Sequence, residues 1–151
     1  MSKIKELFHS IPNYLNAISV ISFTVADALE RQDIKLIDEA EMKRLGAKFD
    51  ADIILMEEAC KSSEVELETL SNLIRNEMDL AIETEHIFRE IGGEFEKIEC
   101  LLGKIKSFNI NNKTQLSFLV DDMYSFEKDC INLAQKLKEL KSKLVALNCY
   151  K

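Results

Sequence analysis

Tryptophan is absent from the 151 residues, proline occurs once and glycine four times. So few helix breakers exclude a turn-rich β architecture and leave room for long uninterrupted helices. The four cysteines, Cys60, Cys100, Cys130 and Cys149, stand far apart, with no CxxC pair and no neighbouring histidine. That spacing argues against a zinc site or disulfide framework and predicts free, mostly buried thiols in a reducing cytoplasm. Positive charge is also in deficit, with 20 Lys and Arg against 27 Asp and Glu, a formal net charge of −7. A nucleic-acid partner held through its phosphates is therefore not expected, nor is an anionic membrane surface. No glycine-rich phosphate loop exists, because Gly46, Gly92, Gly93 and Gly103 all sit in helical context. No ATP-binding kinase domain and no cofactor are expected. Residues 1–6 include an acid, with no apolar signal core behind them. The most apolar window, residues 14–29, is broken by Asn16, Ser19, Ser22, Thr24 and Asp27, too polar and too short to span a membrane.

What is present is amphipathic helix. Hydrophobic residues make up 46% and charged residues 31%, enough to bury a core without disulfides. Ile11, Leu15, Ile18, Val25 and Leu29 fall on one stripe at about 100° per residue. This first helix either starts at Ser10 as its cap or starts near Ser2 and carries Pro12 inside. Asp38-Glu39-Ala40-Glu41 has capping-box spacing and predicts a second helix with Met42, Leu45, Phe49, Ile53, Met56 and Cys60 inward. Ser63-Glu64-Val65-Glu66 repeats that spacing, marking a break or simply the interior of a longer helix. The pattern then continues through Leu70, Leu73, Ala81, Phe88, Ile91, Phe95, Ile98 and Leu102, although Gly92-Gly93 weakens continuity. Its exposed positions are acidic from Glu57 onward, Glu77 and Asp79 among them. Residues 107–113 read as a loop. Beyond it Leu116, Leu119, Met123, Phe126, Cys130, Leu133, Leu137, Leu140, Leu144 and Leu147 keep strict three-four spacing, a heptad seam. Lysines near the end (Lys136, Lys138, Lys141, Lys143, Lys151) are placed to face the acidic middle helix. The expectation is an all-α antiparallel bundle with a coiled-coil-like last helix, its hairpins spanning 1–62 and 63–151.

One stretch carries a reactive side chain inside a pattern: His9-Ser10-Ile11-Pro12-Asn13-Tyr14-Leu15-Asn16-Ala17-Ile18. On the helical wheel His9, Asn13 and Asn16 lie opposite the apolar stripe, so His9 faces water with an amide one turn later. His9, Ile11, Asn13, Leu15, Ala17 and Ile18 resemble the phosphoacceptor helix of sensor histidine kinases, the dimerisation and histidine-phosphotransfer domain. The resemblance implies a helical hairpin that dimerises into a four-helix bundle. It also implies His9 as phosphoacceptor, Asn13 as its positioning partner, and a response-regulator receiver domain as protein partner. Ser10 stands where active kinases carry an acid, and Tyr14 where the family often has Pro. Those departures favour phosphotransfer without autokinase activity, or a non-catalytic bundle acting as an interaction or scaffold protein. A homo-oligomer is expected in either case.

A metal alternative rests on Glu6-x-x-His9 and Glu83-x-x-His86, the spacing of di-iron four-helix carboxylate proteins. Those ligands must point into the bundle core, whereas the wheel turns Glu6, His9 and His86 outward. No metal is therefore expected.

Overall fold

The computed structural model describes residues 2–76, 78–110 and 112–150, without the side chains of residues 34 and 78–81. Four helices carry it: α1 (Lys3–Glu30), α2 (Glu39–Arg75), α3 (Met78–Lys106) and α4 (Lys113–Ala146), with a 3₁₀ turn at Ile34–Leu36 between the first two. No strand occurs among the described residues.

Three of the helices, α1, α2 and α4, begin where a side chain can satisfy their free N–H groups. The Ser2 hydroxyl accepts from the Lys5 N–H and the Asp38 carboxylate from the Glu41 N–H, at 3.3 and 2.8 Å. Of the two starts considered for α1, the one at Ser2 is found, and Pro12 lies inside the helix. Asn112 caps α4 in the same way, accepting from Thr114. At the other end of α4 a Schellman turn closes the helix. Asn148 takes the left-handed conformation (φ 57°), and the Cys149 and Asn148 N–H groups return to the Leu144 and Val145 carbonyls.

The helices pack as a ring in which α1 touches α2 and α4, and α3 touches α2 and α4. This is the up-down-up-down bundle that short connections favour. Ion pairs across α3 and α4 display the antiparallel register: Lys104–Asp122 (3.2 Å), Lys136–Glu90 (2.5 Å) and Lys143–Glu83 (3.4 Å). Each step back along α3 is matched by a step forward along α4. Lys136 and Lys143 thus meet the acidic middle helix as expected, whereas helical spacing turns Lys138 to the α1 side and Lys141 over Tyr150; Lys151, Glu77 and the side chain of Asp79 lie outside the described residues. The heptad seam of α4 is spent within the chain. Leu116, Leu119, Met123, Phe126, Cys130, Leu133, Leu137, Leu140 and Leu144 are all buried, and Leu147 is partly so. The inward residues expected of α2 and α3 are buried or packed on that core, and the Ala81 side chain lies outside the described residues.

Two serines are fully buried in this core without being orphaned. The Ser22 and Ser63 hydroxyls donate to the carbonyls one turn back, Ile18 at 2.8 Å and Ala59 at 2.9 Å. Ser63 is therefore interior helix and not a cap, and α2 runs unbroken through residues 62 and 63. The thiols divide more evenly than expected: Cys60 and Cys130 are buried, Cys149 is half-buried and Cys100 is exposed, all of them free. Burial, with Glu99, Glu57 and Glu64 nearby, pushes the Cys60 thiol up to about 12, so it stays protonated and unreactive.

The outer seam of α1 and α4 is closed by Tyr124. Its ring packs edge-on to Phe23, centroids 6.2 Å apart, and its hydroxyl donates to Glu30 at 2.5 Å. That hydrogen bond, aided by the carboxylates of Glu30, Asp27 and Glu127, pushes the Tyr124 phenol up to about 12. A folded value above the unfolded one stabilises the protein below the ordinary tyrosine range. The contribution is lost as pH rises through the folded value. In an alkaline absorbance titration Tyr124 is expected to ionise above the ordinary tyrosine range, and Glu30→Gln should return it toward that range. Superimposable titrations of the two proteins would show that this bond does not hold in solution.

Candidate functional site

His9 sits in the second turn of α1, flanked by buried Phe8 and half-buried Ser10. Helical periodicity decides the arrangement: Leu7, Phe8, Ile11 and Leu15 turn into the core, so His9 and Asn13, one turn apart, are left on the water side. The Asn13 amide nitrogen stands 3.5 Å from His9 Nε2, at the outer limit of hydrogen bonding. An amide nitrogen only donates, so this contact faces the lone pair of Nε2 and is compatible with the proton on Nδ1. The pair expected from the sequence is thus brought together on an exposed surface, with the Asn13 amide beside Nε2.

Ser10 does something the sequence did not announce. Its hydroxyl donates to Glu66 Oε1 on α2 at 2.8 Å, while the second oxygen, Oε2, is buried with no partner among the described residues. Position 10 therefore contributes to the α1–α2 contact and reaches a carboxylate across the interface. Ser63-x-x-Glu66 was visible as a capping-box pattern, but its meaning depends on how two helices distant in sequence come into register.

Three further groups surround the start of α1. Tyr150, just past the turn that ends α4, packs edge-on to Phe8 with centroids 5.7 Å apart. Lys5 and Lys141 lie over the Tyr150 ring at 5.5 and 5.2 Å from its centroid. No sequence signal marked Tyr150, which follows the last heptad leucine. Beside Pro12 a cleft of about 130 Å³ opens between α1 and α4, bordered by Asn16, Ser19, Ile131, Gln135 and Lys138, with Cys130 among its walls.

The carboxylate–histidine pairs weighed as metal ligands do not converge. Glu6, His9, Glu83 and His86 are all exposed, away from the core where such a site would have to form. His86 instead pairs with Glu90 on its own helix at 2.7 Å. Among the described residues no cluster of three His, Cys, Asp or Glu could hold a metal ion, and no helix is long and apolar enough to cross a membrane.

No family model, no curated protein and no solved structure matches this chain.

Proposed function

We propose that the protein is a signalling module of two-component type in which His9 accepts and passes on a phosphoryl group, with Asn13 positioning it. The observation that carries this reading is the exposed His9 ring with the Asn13 amide 3.5 Å from Nε2. The chemistry needs a neutral imidazole that another protein's active site can reach, and an exposed histidine near pH 7 supplies one. Nε2 attacks phosphorus, an N–P bond forms as the donor's leaving-group bond breaks, and the Nδ1 proton passes to water. The Asn13 amide, released from the ring nitrogen, then has a phosphoryl oxygen within reach. The long contact makes that release easy. The donor and acceptor would be other proteins, a receiver domain foremost, consistent with the resemblance of residues 9–18 to phosphoacceptor helices. A single chain assembles four helices here, so the bundle around His9 needs no partner to form it.

A second reading follows from Ser10. Because the side chain after His9 is tied to Glu66 and is not itself an acid, the bundle also suits a non-catalytic interaction protein.

Phosphoramidate, a small donor that releases ammonia, separates the two readings without a partner protein. Wild type is expected to gain one acid-labile phosphoryl group by intact mass. His9→Gln should lose it, and His86→Gln, which changes the other exposed histidine, should keep it. Labelling that is absent from wild type, or that persists in His9→Gln, would remove the phosphoacceptor reading and leave the interaction protein.

A further inference from the structure

The outer face formed by α1 and α4 is unusual in having a charge gradient with an apolar middle. At the His9 end lie Lys5, Lys138 and Lys141, none with a carboxylate partner among the described residues. At the other end Asp27, Glu30 and Glu127 gather around Tyr124, with one cation among them, Arg31, paired to Asp27 at 3.0 Å. Between them Val20, Phe23 and Ile131 are 55, 48 and 54% exposed, three large apolar side chains on one surface. Scattered apolar residues are normal on a protein surface; a contiguous patch with ordered charge at both ends marks an interaction site.

We propose that a second copy of this chain docks on the α1–α4 face, about a two-fold axis that lies in the plane of the interface, perpendicular to the helices, and passes near Ser19 and Ile131. Charge decides both the occupant and the axis. A two-fold parallel to the helices would set lysines against lysines and carboxylates against carboxylates. A two-fold in the plane of the interface but perpendicular to the helices reverses one copy end for end, so the Lys5–Lys138–Lys141 end of each meets the Asp27–Glu30–Glu127 end of the other. The apolar middles then meet across the axis. Such an isologous contact is self-complementary and closes at two subunits. The size is adequate. α1 has 28 residues, so at 1.5 Å per residue and ~10 Å per helix the two-helix face measures roughly 40 by 20 Å. That outline of about 800 Å² per partner is the standard size for a stable interface. This inference is independent of the phosphoacceptor reading.

Sedimentation equilibrium tests it with the full chain. Wild type is expected to show a reversible dimer of twice 17.3 kDa that weakens as salt rises. Lys138→Glu with Lys141→Glu should weaken the dimer about 100-fold or more, as should Asp27→Lys with Glu30→Lys, because each sets like charges together. Mixing these two double variants should restore dimers, since acidic side chains now stand at both ends of one face and basic side chains at both ends of the other. The quadruple variant, whose net charge is unchanged, should restore them alone. All three variants can be checked for helix content by circular dichroism. A monomer at every concentration would overturn the proposal. So would a dimer indifferent to the reversals, or one not restored by mixing the two variants; each would assign the face to some other protein or to solvent.

Discussion

Replacing Phe126 with alanine is expected to lower stability by about 3–5 kcal/mol, the range for a buried aromatic truncated to a methyl group. Phe126 is fully buried, at 0% exposure, in the middle of α4, the helix that contacts both α1 and α3. Removing its ring forfeits the apolar transfer energy and leaves a void that flanking Met123 and Cys130, also buried, cannot both fill without moving α4. For a chain of this size that corresponds to a fall in Tm of roughly 6 to 20 °C. The control is on the same helix: Phe118 is 62% exposed, so Phe118→Ala should shift Tm by little. Equal effects at the two positions would mean that the α4 seam faces outward, and the bundle as described would fail.

That contrast was already legible in the sequence, because Phe126 belongs to the three-four spacing of α4 and Phe118 does not. Periodicity also placed His9 and Asn13 together on the water side, and Asp38 as the start of α2. What it could not place were features that depend on register between helices or on a helix end with little local mark. α2 ends at Arg75, with Asn76 as its cap, and α3 begins at Met78, with no Gly or Pro between them. That α2 and α3 are separate helices packed on each other follows from two long apolar faces covering each other, a tertiary cause that Asn76 alone does not announce. Ser63, open in the sequence between a break and the interior of a longer helix, is the latter, its hydroxyl taken by the Ala59 carbonyl. The Ser10–Glu66 bond and the packing of Tyr150 on Phe8 join residues far apart in sequence, so no window along the chain contains either. The site's reactive pair was therefore readable, and its surroundings were not.

Gly92 and Gly93 make the second large prediction, in the stabilising direction. They read as a weak point in the middle helix, yet α3 runs through both, and neither has a positive φ. A Cβ added at either would meet nothing within 4 Å. Both positions are exposed, between buried Ile91 and Phe95, so the helix continues because its inward neighbours hold it against the bundle. Glycine there only costs backbone entropy, about 1 kcal/mol relative to alanine at each site. The double change Gly92→Ala and Gly93→Ala is therefore expected to add about 2 kcal/mol, a rise in Tm of roughly 4 to 8 °C. Hydrogen exchange of the amides on either side should slow with it, because the easiest place for α3 to open has been removed. Gly46→Ala serves as the contrast, since its Cβ would come within 3.0 Å of Ile110 Cγ2 and the helical gain is offset by crowding. If the double variant melted no higher than wild type, the helix could not be continuous through residues 92 and 93 in solution. The unspent stability in that one stretch would then belong to a bend in α3, with the acidic face of the bundle divided in two.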